Sequence, residues 1–279
     1  MASLELEARL DNLLATAQEE TADIDIFAPI PEKEECPICL IRLPLRNEEV
    51  VFKPCCGNVI CMGCIYKHLI TDARKGESEI AEHKCAFCRQ QTLSGQRRIK
   101  AMKKLMKNNN PDVYLQMAFK YKFGEDGVIQ SDTRTLEMRI RAAELGNANA
   151  FAGIGLCYRE GTALEEDMSK SIEFYEVGAK KGSLTAHRYL SWFHHKNGNL
   201  DMGYGHVRVL ASAGCKESMD LLMKVYKNEL LSKEDLAQTL RAFQASRDEM
   251  NSKDRDNARL LEEARQKGEA PPAHLLWDT

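Results

Sequence analysis

The sequence lacks the apolar run that a membrane-spanning helix needs, since no stretch approaches about 20 consecutive apolar residues. Its start has neither the basic residues nor the apolar centre of a signal peptide. It also lacks a phosphate-binding glycine loop, a G-x-S-x-G turn and an H-E-x-x-H motif, which argues against an enzyme acting alone on a small molecule. We therefore expect a cytoplasmic or nuclear protein with no membrane partner.

An excess of positive charge is missing too, because 39 Lys and Arg stand against 42 Asp and Glu in 279 residues. A surface built throughout for nucleic acid is therefore not expected. One run from Arg97 to Lys107 contains several bases and no acid. It fits either a nuclear-import or nucleic-acid patch or, as we expect, the solvated face of a helix whose Ile99 and Met102 point inward.

Cysteine, by contrast, is concentrated, because eight of the ten cysteines fall in one short stretch. Disulfides are rare in reducing compartments, so this clustering indicates a metal site. Cysteines separated by two residues can direct both thiolates at one tetrahedral zinc ion. Three pairs have this spacing, and the adjacent Cys55 and Cys56 make a fourth knuckle. We therefore expect two structural zinc ions bound by Cys36, Cys39, Cys55, Cys56, Cys61, Cys64, Cys85 and Cys88.

The composition predicts a small zinc-stabilised α+β domain followed by an all-α solenoid of helical hairpins. Prolines and glycines interrupt the cysteine-rich part, where we expect a hairpin near Val50 and a helix after Cys64. The predicted segments are 1–35, an acidic and mostly disordered arm; 36–89, the zinc domain; 90–109, a linker and basic helix; 110–231, helical repeats; 232–267, a charged capping helix that begins at Ser232; and 268–279, a mobile tail. Within the arm, a short amphipathic helix is expected from Leu4 to Leu14.

The helical part repeats itself with a period of about 36 residues. The stretch that begins at Asn110 is echoed by the one that begins at Gly146, and each unit ends in an Ala-x-x-x-Gly type sequence. Asp132 and Asp167 precede the second helices, where we expect them to be N-caps. Small residues such as Gly153 inside the helices indicate close helix packing. These units resemble Sel1-like repeats, relatives of tetratricopeptide repeats, and this resemblance implies a protein-binding solenoid.

The order of the cysteine pairs resembles a RING finger. In that family the first and third pairs bind one zinc, and the second and fourth bind the other. The usual histidine of the second pair falls at Asn58, and asparagine is a poor zinc ligand. Either Cys55 and Cys56 both bind zinc, or Cys56 binds together with a surrogate such as His68 or His83.

The RING resemblance implies a ubiquitin ligase that docks a ubiquitin-conjugating enzyme while the repeats hold a protein substrate. Ile38 matches the family's apolar docking contact, and Arg89 matches the cation that contacts ubiquitin. The sequence departs from the family at Ala86, where proline is usual, and no tryptophan lies in the helix after Cys64, so Leu69 and Ile70 must supply any docking face. The alternative is a non-catalytic scaffold whose zinc domain only fixes a surface for partners.

Overall fold

The computed structural model describes residues 2–31, 34–45, 49–74 and 84–270. Two strands, β1 (Val50–Lys53) and β2 (Asn58–Cys61), form an antiparallel hairpin. The helices of the described residues are α1 (Ala2–Glu20), α2 (Met62–Arg74), α3 (Gly95–Met106), α4 (Pro111–Phe123), α5 (Asp132–Glu144), α6 (Ala148–Glu160), α7 (Met168–Lys180), α8 (Leu184–Lys196), α9 (Leu200–Ser212), α10 (Lys216–Lys227), α11 (Lys233–Met250) and α12 (Lys253–Lys267). Within these ranges, no helix is both long and apolar enough to cross a membrane.

The chain forms two compact units, each made of two separate stretches. The repeat unit consists of residues 1–32 and 106–246, and the cysteine unit consists of residues 33–105 and 247–279. The cysteine unit contains the hairpin, and the regular secondary structure in the described part of the repeat unit consists of helices. The predicted fold class, a small cysteine-rich region with a hairpin followed by all-α repeats, is therefore confirmed.

Helices α4 to α10 form the repeats, in which each helix packs against the next one along the chain. The first helices of successive hairpins are preceded by N-cap residues, Asn110, Asn147 and Ser183. Their side chains accept hydrogen bonds from backbone N–H groups of the first turn. Helices α4 and α6 end at Gly124 and Gly161, which adopt the left-handed conformation that favours glycine. These polar caps set the period that the sequence displays.

One of the two predicted N-caps is in place. Asp167 accepts a hydrogen bond from the backbone N–H of Lys170 at 3.0 Å and caps α7. Asp132 does not cap α5, because the hydroxyl of Ser131 accepts the bond from the first turn instead. Asp132 is the first helical residue, and its carboxylate pairs with Lys122.

The small residues inside the helices allow close packing, as predicted. A Cβ atom at Gly155 would lie 2.9 Å from the carbonyl oxygen of Ser171, nearer than such atoms approach. The hydroxyl of Ser171 donates a 2.8 Å hydrogen bond to the carbonyl oxygen of Gly155 in the same place. Helices α6 and α7 therefore meet with backbone almost against backbone.

Within the predicted acidic arm, the helix is longer than the expected Leu4 to Leu14 and packs on the repeats. Helix α1 spans Ala2–Glu20 and buries Leu10, Leu14 and Ala17 against residues that include Phe151 and Phe174. Its acids meet bases of the repeat unit, as Asp11 does with Lys170. The acidic composition suggested disorder, but these charges form only the outer side of an amphipathic helix.

The predicted capping helix is two helices. Its start agrees with the prediction, because the hydroxyl of Ser232 accepts a hydrogen bond from the N–H of Asp235 at 3.0 Å. Helix α11 ends at Met250, and Ser252 caps a second helix, α12, which belongs to the cysteine unit. The predicted tail falls mostly outside the described residues.

Candidate metal centre

Two knuckles of the cysteine unit have the same backbone turn. In the first, Leu40 donates its N–H to the carbonyl of Cys36, and Cys36 donates its own to the carbonyl of Ile41. In the last, Arg89 and Cys85 make the equivalent bonds, with the carbonyl of Gln90 as the second acceptor. Leu40 and Arg89 have φ angles of 56° and 61°, a left-handed conformation that closes each turn. Each turn brings its two cysteine side chains to one side.

The hairpin and the helix after it carry the other two pairs. Cys55 and Cys56 lie in the turn between β1 and β2, followed by Gly57, whose φ angle of 75° is easy only for glycine. Cys61 ends β2, and Cys64 lies in the first turn of α2. The strand-to-helix junction therefore sets the distance between the sulfurs of the third pair.

The eight cysteines form two groups of four, and the sulfur atoms of each group all lie within 4.8 Å of one another. One group, cluster one, consists of Cys36, Cys39, Cys61 and Cys64. The other group, cluster two, consists of Cys55, Cys56, Cys85 and Cys88. None of the eight forms a disulfide.

The sulfur separations suit a tetrahedral metal ion. Four sulfurs at the usual zinc distance of about 2.3 Å are about 3.8 Å from one another. In cluster one, the Cys36 and Cys64 sulfurs lie 3.8 Å apart, and those of Cys39 and Cys61 lie 3.9 Å apart. In cluster two, the corresponding separations are 3.4 Å for Cys55 with Cys88 and 4.0 Å for Cys56 with Cys85. Both clusters are positioned to hold a metal ion.

The electrostatics of the clusters favour a cation. Burial raises the pKa of the Cys64 thiol to about 12 and also raises the pKa of Cys55. The pKa of Cys36 is lowered to about 4, chiefly by a hydrogen bond with Cys61, and the same bond raises the pKa of Cys61. Several of these sulfurs thus keep a proton unless a cation replaces it, so metal binding would release protons.

Both cysteines of the second pair, for which the sequence left two possibilities, lie in one cluster. Cys55 and Cys56 both lie in cluster two, and Asn58, at the position of the histidine in the RING pattern, is the first residue of β2. His68 lies outside the cluster's ligand set, because its Nδ1 is 2.7 Å from the guanidinium of Arg89 and 3.2 Å from the carboxylate of Asp72. His83 lies outside the described residues.

The two predicted partner-binding residues lie on the two similar knuckles. Ile38, in the first knuckle, is 39% exposed, and the neighbouring Leu40 is 70% exposed. Arg89 follows the last knuckle, which also carries the exposed Phe87. Burial lowers the pKa of His68, so its ring is neutral and accepts a hydrogen bond from Arg89. Sequence reasoning did not find this anchor on α2.

Of the expected docking residues on α2, Ile70 is partly covered. Tyr66 of α2 is buried against Ala258 of α12, and Ile70 and Leu261 pack against the same pair. A second contact that sequence reasoning missed is Arg255 of α12, whose guanidinium lies 3.6 Å from the Cys39 sulfur. No local sequence pattern predicts this contact, because Arg255 and Cys39 are 216 residues apart in the sequence.

Comparison with known proteins gives structural resemblances to the repeats. No protein-family model matches the sequence, and no curated protein matches it. The structure is similar to that of a Sel1 repeat protein from Oxalobacter formigenes, with 19% identity, coverage of 73% of this chain and 91% of that chain, and a TM-score of 0.47. It is also similar to a protective antigen of uropathogenic Escherichia coli displaying an SLR fold, with 18% identity, coverage of 65% and 41%, and a TM-score of 0.46.

Proposed function

We propose that the protein is a RING-type ubiquitin ligase whose cysteine unit recruits a ubiquitin-conjugating enzyme and whose helical repeats hold a protein substrate. The interleaved cysteine pairs carry this proposal, because the first and third pairs share cluster one while the second and fourth share cluster two. This is the pairing of the RING family. The four-sulfur clusters suit two structural zinc ions with no open coordination position.

Such a ligase needs no nucleophile of its own, because it acts by holding the ubiquitin thioester in a reactive orientation. Ile38 supplies an exposed apolar contact for the conjugating enzyme, and Leu40 adds apolar surface to the same knuckle. Arg89 supplies the cation that contacts ubiquitin. Its guanidinium bonds to His68 and lies 3.7 Å from Asp72, so the cation is held beside α2 before ubiquitin arrives.

A non-catalytic scaffold is the alternative, and two observations favour it. Ala86 stands in place of the family's usual proline in the last knuckle. Ile70, one of two residues expected to supply an apolar docking face on α2, packs instead with Tyr66 and Leu261. Under this alternative, the zinc ions would shape a surface for protein partners without any transfer of ubiquitin.

A reconstituted ubiquitination reaction separates the two functions. Full-length protein, mixed with ubiquitin, activating enzyme and a broad panel of conjugating enzymes, should form ubiquitin chains with at least one of them. Ile38→Ala and Arg89→Ala should each slow chain formation about tenfold, because a well-packed contact residue is typically worth over 1 kcal/mol. Zinc content should stay unchanged.

The matched control is Ile129→Ala, which removes the same apolar atoms from an isoleucine that is 83% exposed in the repeat unit. This variant should form chains at the wild-type rate. Absence of chains across the whole panel, from a protein with its full zinc content, would contradict ligase activity and favour the scaffold.

A further inference from the structure

Arg255 is a buried cation in the first turn of α12. Its side chain is only slightly exposed, and its Nη1 donates hydrogen bonds to the carbonyl oxygens of Arg42, at 2.5 Å, and Met250, at 2.7 Å. Its Nη2 donates to the carbonyl oxygen of Ile41, at 3.0 Å, and lies 3.6 Å from the Cys39 sulfur. The guanidinium therefore joins α12 to Ile41 and Arg42, which follow the first knuckle.

A buried cation is costly unless an anion lies nearby. Among the described residues, no carboxylate lies within ion-pair distance of Arg255, although Arg42 pairs with Glu249 and Arg259 pairs with Glu49 and Asp256. The anion that Arg255 faces is cluster one, since its Nη2 donates a hydrogen bond to the Cys39 sulfur. Four thiolates around one divalent ion carry a net charge of about −2, and an adjacent guanidinium offsets part of it.

The third knuckle is shaped to receive this helix. A Cβ atom at Gly63, between Cys61 and Cys64, would lie 2.8 Å from both the Cγ and the backbone nitrogen of Arg255. Further along the two helices, Tyr66 packs on Ala258. Two ion pairs flank this packing, Lys67 with Asp254 at 3.1 Å and Arg259 with Glu49 at 3.2 Å. Helix α12 thus covers the knuckle by close backbone contact, apolar packing and charge pairing together.

We propose that Arg255 is a positioning residue of the first metal centre and that α12 is an integral part of the metal-binding unit. The guanidinium stabilises the negative tetrathiolate and fixes the Cys39 sulfur. Retention of the metal in cluster one consequently depends on a helix that follows the whole repeat array in the sequence, while retention in cluster two does not. The proposal rests on the zinc sites of the proposed function but not on ligase activity.

Zinc release from full-length protein tests this dependence. Zinc content is measured by elemental analysis, and its transfer to a chromogenic chelator is followed for wild type, Arg255→Ala and Arg255→Lys. Loss of a residue that supports a metal ligand typically costs 10- to 100-fold in affinity. In Arg255→Ala, one of the two zinc ions should therefore leave at least about tenfold faster, and the other should leave at the wild-type rate. Arg255→Lys keeps the positive charge but lacks the planar set of N–H donors of the guanidinium. Its zinc release rate should therefore fall between those of wild type and Arg255→Ala.

Arg265→Ala is the matched control, because Arg265 lies on the same helix, is exposed and pairs only with nearby Glu262. Its two zinc ions should leave as in wild type. Gly63→Ala provides a second test with Arg255 intact, since the added Cβ forces α12 away from the knuckle and should speed release of the same ion. Substitution with cadmium-113 assigns the ion, because only the cluster-one resonance should shift in Arg255→Ala.

The outcomes distinguish this inference from the function it rests on. Wild-type protein with fewer than two zinc ions would overturn the zinc sites themselves. If both zinc ions leave Arg255→Ala and Gly63→Ala at rates within about twofold of those of Arg265→Ala, the role of α12 is overturned, but the zinc sites are not. Should Arg255→Ala fail to fold, Arg255→Lys and Gly63→Ala decide by the same criterion.

Discussion

Two buried histidines should make the repeat unit lose stability in mild acid. His187 of α8 and His206 of α9 are almost fully buried, and their Nδ1 atoms lie 2.9 Å apart, so one ring donates a hydrogen bond to the other. Phe27 lies against the His206 ring. The His194 ring stacks on the His206 ring, with 5.6 Å between the ring centroids. Among the described residues, no carboxylate acts on either ring of the pair.

Burial lowers the pKa of His187 to about 4 and that of His206 to about 3. Both rings are therefore neutral in the folded protein at pH 5, whereas in the unfolded chain, with an ordinary pKa of about 6.5, both are protonated. Because the unfolded state binds more protons, stability falls as the pH decreases below about 6.5 and continues to fall toward the folded pKa values. Between pH 7 and pH 5 each histidine should cost about 2 kcal/mol, or about 4 kcal/mol for the pair.

Urea unfolding at pH 7, 6 and 5, followed by the helical circular dichroism signal, measures this loss. The double variant His187→Gln/His206→Gln, which does not titrate in this range, should lose about 4 kcal/mol less than wild type between pH 7 and pH 5. Equal pH dependence in wild type and the double variant would refute the reasoning.

Three further predictions concern packing and the anchored cation. Leu10→Ala should destabilise the repeat unit by about 3 kcal/mol in urea unfolding because it leaves a cavity under α1, whereas exposed Asn12→Ala should change stability by under about 0.5 kcal/mol. Gly155→Ala should cost about 1 to 3 kcal/mol, since its Cβ meets the backbone of α7; an unchanged midpoint would argue against that contact. Asp72→Asn should slow ubiquitin-chain formation about fivefold, equivalent to about 1 kcal/mol, with no loss of zinc, because Arg89 loses its anchor; unchanged rates would show that the anchor is irrelevant.

The sequence was most informative where a local pattern determines local structure. The spacing of the cysteine pairs reflects turns of a few residues, so the knuckles around Cys36 and Cys85 could be predicted without knowledge of the rest of the chain. The glycines that end helices, such as Gly161, are equally local, because only the left-handed conformation is required of them. Hence the repeats and both cysteine clusters were predictable.

Long-range packing was the part that sequence reasoning missed. Helix α1 has apolar residues at helical spacing, Leu10, Leu14 and Ala17, but its surface acids dominate the composition of the segment and suggested disorder. The break before Ser252 follows from a side-chain cap that resembles any polar residue in a charged helix. Arg255 gives no signal at all, because its partners are backbone carbonyls and a sulfur from the other end of the chain.

The zinc content of the purified full-length protein tests the central claim most directly. The two four-cysteine clusters predict two zinc ions per chain, and loss of one ligand from either cluster should remove one ion. Cys61→Ala and Cys56→Ala should therefore each retain one, whereas Cys215→Ala, outside both clusters, should retain two. Fewer than two zinc ions in wild type, or two in Cys61→Ala and Cys56→Ala, would contradict the account.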